Sequence, residues 1–241
     1  MSGREARARD PAVPGAWPLV GRADEVALAL DAVQRRGGVV LAGASGVGKT
    51  RLAREVVAAA ESAGAQAQWV AATRSAGTVA LAAFAHLVPA DAAGADESQD
   101  RRALALDAIV RDLEHRSGRE RVVVGVDDAH LLDDASATLV HLLATSGAAR
   151  LVVTVRSGEP TPDPVVALWK DELAVRVEVQ PLSRTEVAAL LGAALGGTVD
   201  GVTARRLFDA TRGNALFLRE LVAEGLSAGA LVDHVGLWGW D

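Results

Sequence analysis

The chain has 241 residues, half of them apolar, which is enough to bury a sizeable core as one large domain or as a domain with a smaller companion. Its net charge is −6 and no basic run exceeds an arginine pair, so composition gives no sign of a nucleic-acid or membrane surface. The absence of cysteine excludes disulfides and thiolate metal sites, and it fits a cytoplasmic protein.

The two ends of the chain differ from its middle. Residues 1–16 lack the apolar core of a signal peptide, and we expect them to form a disordered leader. No window approaches the roughly 18 uninterrupted apolar residues of a membrane span, so no membrane association is expected. The final residues, "GALVDHVGLWGWD", are typical of the start of a strand pair, and we expect the chain to be one piece of a longer protein.

Downstream of the leader, patterns typical of buried strands and of helices alternate. The run "VVLAG" is short, β-branched and closed by glycine, which predicts a buried strand. Strands that are apolar on both faces and alternate with helices favour a parallel sheet covered on both sides. We therefore predict an α/β domain at residues 17–182, with a mostly parallel five-stranded sheet between helices. Its strands are, in order, "VVLAG", "AQWVAAT", "RVVVGVDD", "ARLVVTVRS" and "LAVRVEVQPL".

Helical spacing of apolar residues predicts the intervening helices. Asp133, Asp134 and Ser136 are the residue types that favour a helix N-terminus, and we expect them to cap the last of these helices. The segment "SGEPTPDP" is interpreted as a proline-punctuated loop before the fifth strand. The predicted helices are "DEVALALDAVQRR", "KTRLAREVVAAAESAG", "LAAFAHLV", "ALALDAIVRDLEHRSG" and "DDASATLVHLLATSG", with Gly37, Gly64, Pro89 and Gly118 at the ends of the first four.

From Ser183 the pattern becomes helical. The segment "SRTEVAALLGAAL" opens with a capping box formed by Ser183 and Glu186. Two more helices, "TARRLFDATRG" and "NALFLRELVAEGLSAG", follow with no strand predicted between them. Residues 183–241 are therefore predicted to be a small α-helical lid subdomain and the start of a further element, with Trp238 and Trp240 as packing residues.

The segment "GASGVGKT" matches the pattern G-x-x-x-x-G-K-[ST] in full and lies between a predicted strand and helix. Its glycines let backbone N–H groups turn toward a phosphate, and the following helix adds its partial positive charge. Lys49 would reach the β- and γ-phosphates, and the Thr50 hydroxyl would ligate Mg²⁺. A chance match is the alternative, which the flanking strand and helix disfavour. The predicted phosphate-binding residues are Gly43, Ala44, Ser45, Gly46, Val47, Gly48, Lys49, Thr50 and Arg51.

The choice of lysine in this loop is informative, because the chain uses arginine almost everywhere else. Lys49 and Lys170 are the only lysines among 25 basic residues. A compact ammonium on a flexible stem reaches the terminal phosphates, where the planar guanidinium of arginine is a poor substitute. The exception supports a phosphate-binding role for Lys49.

Two further strand ends carry candidate site residues. The strand "VVVGVDD" ends in Asp127, which would hold Mg²⁺ through water, and Asp128, which is placed to orient or deprotonate the attacking water. The alternative is a pair of surface aspartates after a strand. Arg156 ends "LVVTVRS", and because strand C-termini converge on the ligand crevice of such sheets, it could contact the γ-phosphate. Its alternative is an ordinary solvated arginine.

Four histidines are candidates for catalytic or metal-binding roles, and simpler roles are favoured for them. His130 follows Asp128 closely and could be catalytic, but packing at a loop explains it more simply. His86, His115 and His141 lie on helical segments with no carboxylate or histidine partner at ligand spacing. We expect no metal other than nucleotide-bound Mg²⁺.

Six segments in this order resemble a known family. They are "LVGRADEVALAL", "GASGVGKT", "VDDAHLLDDAS", "LVVTVRS", "PLSRTEVAALL" and "RGNALFLRELV", and together they are similar to the STAND class of AAA-related P-loop ATPases. More narrowly, they look like the N-terminal ATPase module of large LuxR-type transcriptional regulators. The resemblance spans roughly residues 17–235.

The resemblance implies roles for individual residues. Val20, Gly21 and Arg22 would line the adenine side, Arg156 would be the sensor arginine, and "GNALFLREL" would lie in a helical lid over the nucleotide. Many relatives have proline after Gly-Asn where this chain has Ala215, so no specific adenine contact is assigned to residues 213–215. The family's winged-helix, repeat and helix-turn-helix domains are absent, so DNA would be bound only through domains outside this chain.

The leading functional hypothesis is therefore an ATP/ADP switch with Mg²⁺ and slow hydrolysis. Lys49, Asp127, Asp128 and Arg156 would carry its chemistry, and the ATP state could be a homo-oligomer. One alternative is an AAA-type ATPase with sustained turnover that works as a motor or loader, with an arginine such as Arg176 supplied in trans. Another is a small-molecule kinase, which shares the phosphate loop but usually adds an arginine-rich lid.

Overall fold

The computed structural model of the protein describes residues 17–75, 77, 79–89, 99–117 and 121–241, with the backbone alone for 99–101. These residues form two compact units: one comprises Arg22–Gln180, and the other comprises residues 17–21 and 181–241. The predicted leader at residues 1–16 and the predicted helix end at Gly118 lie outside the described residues.

The larger unit alternates strands and helices as the sequence predicts. Valine-rich strands are buried along nearly their whole length, as expected where both faces of a sheet are covered. Two 3₁₀ segments, Ala82–Leu87 and Ala129–Leu131, lie among the regular elements. The regular elements are α1 (Ala23–Arg35), β1 (Gly38–Gly43), α2 (Lys49–Ser62), β2 (Gln66–Ala71), α3 (Gln99–Ser117), β3 (Val122–Asp127), α4 (Asp134–Ser146), β4 (Arg150–Arg156), α5 (Asp163–Lys170) and β5 (Val175–Glu178).

The five strands form one sheet in the order β2-β3-β4-β1-β5. Every neighbouring pair is parallel, so the predicted parallel sheet is confirmed and is fully parallel. β4 lies between β1 and β3, with Gly43 in register with Arg156 and Val126 in register with Val153. The carboxyl ends of β1, β3 and β4 therefore meet at one edge of the sheet.

Helices cover both faces of this sheet. α3, α4 and α5 pack on strand residues in one apolar cluster, in which Phe84 is the single fully buried aromatic side chain among the described residues. The described residues of α1 and α2 lie outside that cluster and pack on the sheet and on each other. Alanine, valine and leucine fill most of the core, as a chain with so few aromatic residues requires.

Helix α5 was not predicted. The segment "SGEPTPDP" contains three prolines, which favour a loop in the sequence analysis. In the structure Pro162 is the N-cap residue of α5 and Pro164 lies in its first turn. Proline is tolerated there, because the first N–H groups of a helix have no intrahelical partner.

The smaller unit contains three helices and a small sheet. Its helices are α6 (Arg184–Leu195), α7 (Gly201–Thr211) and α8 (Ala215–Ser227), and α6 begins with the predicted capping box of Ser183 and Glu186. The strand pair predicted near the C-terminus is confirmed as β7 (Leu231–Asp233) and β8 (Leu237–Trp240), which are antiparallel.

One strand of the smaller unit is missing from the prediction. β6 (Thr198–Val199) lies between α6 and α7 and pairs with β8, giving the order β6-β8-β7. Its two residues are too few for an alternating pattern. Trp238 and Trp240 pack on the unit's apolar cluster, as predicted.

The N-terminus of α4 shows the predicted capping in detail. Asp133 is the N-cap residue, and its Oδ1 accepts hydrogen bonds from the backbone N–H of Ser136 (2.9 Å) and of Leu81 (3.3 Å). Its Oδ2 accepts from the Ser136 hydroxyl. The neighbouring Asp134 is exposed in the first turn of the helix.

We expect Asp133→Ala to lower the free energy of unfolding by about 1–2 kcal/mol, because the cap and its link to Leu81 are lost. The matched control is Asp134→Ala, which removes the same charge from the next residue and should cost about 0.5 kcal/mol through the helix dipole alone. Chemical denaturation of both variants measures the difference. Equal losses would contradict the capping role.

Candidate nucleotide-binding site

The loop between β1 and α2 has the backbone geometry that a phosphate cradle needs. Gly46 and Gly48 adopt left-handed φ angles of 76° and 102°, which residues with a Cβ rarely adopt. Gly48 is the N-cap residue of α2 and has no side chain to cap the helix. The first N–H groups of α2 and its positive dipole end are therefore open to an anion.

Lys49, the first residue of α2, is buried under this loop. Its Nζ donates hydrogen bonds to the carbonyl oxygens of Gly43 (3.0 Å) and Ala44 (2.8 Å). Burial lowers the pKa of Lys49 below its ordinary value, with Asp128 as the largest opposing influence. The ammonium is thus held inside the loop by two backbone acceptors.

The predicted Mg²⁺ ligands Thr50 and Asp127 lie side by side. The Thr50 hydroxyl donates to Asp127 Oδ1 at 2.9 Å. The same oxygen accepts a 2.6 Å hydrogen bond from the Thr154 hydroxyl on β4. Because α2, β3 and β4 each contribute one of these residues, the network fixes three elements at the carboxyl edge of the sheet.

Thr154 is a site residue that sequence reasoning missed. It is fully buried, and besides donating to Asp127 its hydroxyl accepts a 2.8 Å hydrogen bond from the backbone N–H of Asp128. Its signal in the sequence was the single polar residue inside the apolar run of "LVVTVR". Buried hydroxyls need a partner, so this position indicated a polar contact near the strand end.

Asp128 leaves the strand with a left-handed backbone. Its φ is 53°, a conformation that aspartate adopts more readily than most residues. The next residues form the 3₁₀ turn Ala129–Leu131, and the Asp128 side chain is 36% exposed. The carboxylate therefore projects at the solvent-accessible side of the strand end, close enough to raise the pKa of Lys49.

Arg156 is held by a carboxylate that the sequence analysis did not single out. Its NH1 donates to Glu159 Oε1 at 2.7 Å, and its Nε is buried with no hydrogen-bond partner among the described residues. The hydrogen bond from Arg156 lowers the pKa of Glu159. Arg156 ends β4 opposite Gly43, the first residue of the phosphate loop, so it borders the same edge of the sheet.

His130 is the second unexpected neighbour of the site. Its side chain is 1% exposed, its Nδ1 lies 3.9 Å from Asp128 Oδ1, and its Nε2 lies 3.5 Å from Glu159 Oε2. Neither ring nitrogen has a hydrogen-bond partner in the described part of the chain. Burial lowers the pKa of His130, although Asp128 and Glu159 oppose that shift. The ring is buried by packing, as predicted, and its two nitrogens lie near the carboxylates of Asp128 and Glu159 without a hydrogen bond to either.

Three further predicted residues have contacts within their own units. Val20 packs on the apolar cluster of the smaller unit, and Gly21 in that unit faces the Glu186 side chain. Arg22 in the larger unit is buried and donates to Glu25 (2.7 Å) and to the carbonyl oxygen of Gln180. Their predicted role beside adenine stays a prediction.

Two other candidate residues, Arg51 and Arg176, form ion pairs with neighbouring carboxylates. Arg51 is exposed on α2 and pairs with Glu55 at 3.6 Å. Arg176 on β5 pairs with Glu178 at 3.1 Å and lies over the Trp169 ring. His86, His115 and His141 lie on three different helices, and the described residues contain no cluster of three or more metal-binding side chains.

A family match agrees with this geometry. The sequence matches the AAA ATPase domain over residues 18–155, which is more than half of the chain. The chain belongs to the AAA ATPase family. The predicted AAA-related P-loop ATPase is confirmed at this level, while the narrower STAND and LuxR-type resemblance stays a prediction. No curated protein sequence matches this AAA domain.

Several solved structures share the fold of this chain. Orc1 of Aeropyrum pernix in complex with DNA has a TM-score of 0.63 at 18% identity, over 90% of this chain and 63% of that chain. AMPPCP-bound DnaA of Aquifex aeolicus has a TM-score of 0.57 at 12% identity, over 86% and 62%. The RuvB Holliday junction branch migration motor of Thermotoga maritima has 0.53 at 17%, over 87% and 64%. These identities establish the fold alone, and the chain spans under two thirds of each of these proteins.

The buried His130 makes the stability of the AAA domain depend on pH. Its folded-state pKa lies below the ordinary value of 6.5, so the folded protein binds fewer protons than the unfolded chain as the pH falls through that value. The free energy of unfolding should therefore decrease with acidification below about pH 6.5, by at most about 1.4 kcal/mol per pH unit from this group.

We expect His130→Gln to flatten this dependence between about pH 7.5 and 5.5. Chemical denaturation across that range measures it, and the difference from wild type isolates the contribution of His130 from that of the carboxylates. The matched control is His86→Gln, the same substitution at an exposed histidine. An unchanged slope in His130→Gln would contradict the assignment.

Proposed function

We propose that this AAA domain is a nucleotide-operated regulatory ATPase, an ATP/ADP switch that forms the N-terminal module of a LuxR-type transcriptional regulator. The observation that carries the proposal is the convergence of Lys49, Thr50, Asp127 and Arg156 at one edge of the sheet. Each is held there by an acceptor or donor of the protein itself. A Mg²⁺-nucleotide offers a replacement for each of these contacts.

The backbone geometry of the phosphate loop and the position of Lys49 favour binding of ATP and ADP. Phosphate oxygens would accept hydrogen bonds from the N–H groups that Gly46 and Gly48 orient, and they would replace the carbonyl oxygens of Gly43 and Ala44 at Lys49 Nζ. The lowered pKa of Lys49 does not prevent this, because an approaching phosphate favours the charged form.

The Thr50–Asp127 pair fits Mg²⁺ by its donor chemistry. Mg²⁺ takes oxygen ligands, keeps several waters, and usually takes only one or two groups from a protein. A hydroxyl and a carboxylate 2.9 Å apart, with the carboxylate steadied by Thr154, are groups of that kind. When bound, the ion would neutralise charge that develops on the phosphates. Thr50 would ligate it directly and Asp127 would hold it through water.

Hydrolysis would depend on Asp128. Its carboxylate is partly exposed beside the Asp127 strand end, and Thr154 holds its backbone N–H in place. In this position it would orient an attacking water and accept its proton. We propose that this step is slow and resets the switch to the ADP state.

Arg156 would report the γ-phosphate. Its guanidinium is paired with Glu159, and a γ-phosphate would compete with that carboxylate for it. Reversing a 1:99 equilibrium requires ATP to bind the active form about 10⁴-fold more tightly, or about 5.5 kcal/mol. Contacts of Lys49, Arg156 and Mg²⁺ with one additional phosphate are of a kind that could supply this difference.

The regulatory role implies partners. We propose that the ATP form of the AAA domain assembles as a homo-oligomer and that DNA is contacted by other domains of the longer regulator. Among the described residues, no helix combines the length and apolar character required to cross a bilayer.

Lys49→Ala should reduce ATP and ADP affinity by about 100-fold or more, because a charge-assisted contact to two phosphates is lost. Lys49→Arg should also bind poorly, since the planar guanidinium does not fit the space of the ammonium. The control is Lys170→Ala, the other lysine of the chain, which is exposed at the end of α5. Titration calorimetry measures all three variants. ATP affinity that survives in Lys49→Ala would refute nucleotide binding by this loop.

The AAA domain should retain ADP as a monomer and assemble when a non-hydrolysable ATP analogue replaces it. Nucleotide extraction and analytical ultracentrifugation measure both states. The alternative is sustained turnover as a motor or loader, and steady-state hydrolysis separates the two. Turnover of tens per second, within the ordinary enzyme range, would exclude the switch.

A further inference from the structure

Four side chains form a continuous network from the end of β3 to the turn after β4. His130 lies between two carboxylates, with Nδ1 3.9 Å from Asp128 Oδ1 and Nε2 3.5 Å from Glu159 Oε2. The other oxygen of Glu159, Oε1, accepts a 2.7 Å hydrogen bond from Arg156 NH1. The network therefore connects the carboxylate proposed to orient water with the arginine proposed to contact the γ-phosphate.

The network is incomplete in a specific way. Both ring nitrogens of His130 are buried and lack a hydrogen-bond partner among the described residues, which is costly for a buried polar group. Glu159 Oε2 is the nearer of the two carboxylate oxygens to the ring, and it lies just beyond good hydrogen-bond distance. Glu159 is thus hydrogen-bonded to Arg156, and His130 lies nearby as a second residue that could donate to it.

We propose that Glu159 and His130 are positioning residues that act as an exchange switch: Glu159 holds Arg156 when no γ-phosphate is present, and it transfers to His130 when the γ-phosphate takes Arg156. This inference rests on the proposed ATP/ADP switch and assigns it a mechanism. Release of Arg156 would otherwise leave the partly exposed carboxylate of Glu159 with water as its partner. The buried N–H of His130 compensates for that loss.

The local geometry permits the exchange. Glu159 is about one third exposed and follows a turn in which Gly158 adopts a left-handed φ of 85°. A Cβ at Gly158 would meet no atom within 4 Å, so this turn has free space around it. A neutral imidazole has one N–H donor and one acceptor nitrogen, so donation from Nε2 to Glu159 requires no protonation. The shift needed is a fraction of the present 3.5 Å separation.

The same geometry explains why both carboxylates would respond together. A proton on Nε2 leaves Nδ1 as an acceptor facing Asp128. Anchoring the ring through Glu159 would therefore fix the position of a lone pair that repels the Asp128 carboxylate, and this would limit where that carboxylate can lie. Binding of the γ-phosphate at Arg156 would in this way alter the placement of the water-orienting carboxylate.

The test is a double-mutant cycle on nucleotide discrimination. The readout is the ratio of the dissociation constants of ADP and of a non-hydrolysable ATP analogue, measured by titration calorimetry on the chain as it stands. Glu159→Gln weakens the hold on Arg156 and should raise the preference for the ATP analogue by about fivefold or more. His130→Leu removes the imidazole N–H that would donate to Glu159 and should lower that preference by about the same factor.

Two controls separate this role from simple packing. His130→Gln places an amide near the position of Nε2 and should stay close to wild type, whereas His130→Asn, whose amide is too short to reach Glu159, should behave as His130→Leu. In a Glu159→Gln background, His130→Leu should change the ratio of dissociation constants by less than about a further twofold, because the carboxylate to which His130 would donate is absent. If the Leu variant does not fold, comparison of the Gln and Asn variants still tests the proposal.

Each outcome is decisive. Equal weakening of both nucleotides by His130→Leu and His130→Asn, or an effect that persists in the Glu159→Gln background, would show a packing role and overturn the exchange. An unchanged ratio in Glu159→Gln would do the same. If the wild-type chain binds nucleotide and discriminates ATP from ADP while the variants leave the ratio unchanged, only this inference fails. If the wild type does not discriminate, the proposed switch fails with it.

Discussion

One carboxylate oxygen holds the functional edge of the AAA domain together. Oδ1 of Asp127, at the end of β3, accepts hydrogen bonds from Thr50 on α2 and from Thr154 on β4. Thr154 in turn fixes the backbone of Asp128. The strand order makes this possible, because β4 separates β1 from β3 and brings a buried hydroxyl between the phosphate loop and the acidic strand end.

Both cations of the site are bonded to acceptors of the protein itself, and this affects how a ligand would act. Lys49 bonds two carbonyl oxygens of its own loop, and Arg156 bonds Glu159. A ligand that binds here exchanges contacts and does not simply add them, so its net effect is a difference between similar interactions. Under the proposed function, such a site would distinguish ligands that differ by one charged group, since each additional phosphate would displace a particular internal partner.

The sequence predicted the parts of the site that depend on strand ends and on a spaced motif. Buried strands have a strong apolar signal, and the carboxyl ends of parallel strands must converge, so Lys49, Thr50 and Asp127 could be placed together in advance. Glu159 and His130 could not, because their proximity depends on the path of the turns after β4 and β3. Helix α5 was missed because its prolines suggested a loop, and β6 because two residues carry no periodicity. The role of Asp133 could be predicted because capping is a local property of a few residues.

The scarcity of lysine has a practical side. Lys49 and Lys170 are the only side chains of this sequence that offer a primary amine. Lys170 is exposed, whereas Lys49 is buried beneath the phosphate loop, with its pKa lowered and its nitrogen bonded to two carbonyl oxygens. An amine-directed label therefore produces a very small set of modified peptides, and the peptide that contains Lys49 reports on the loop itself. The extent of labelling at Lys49 would therefore measure whether a ligand occupies that loop.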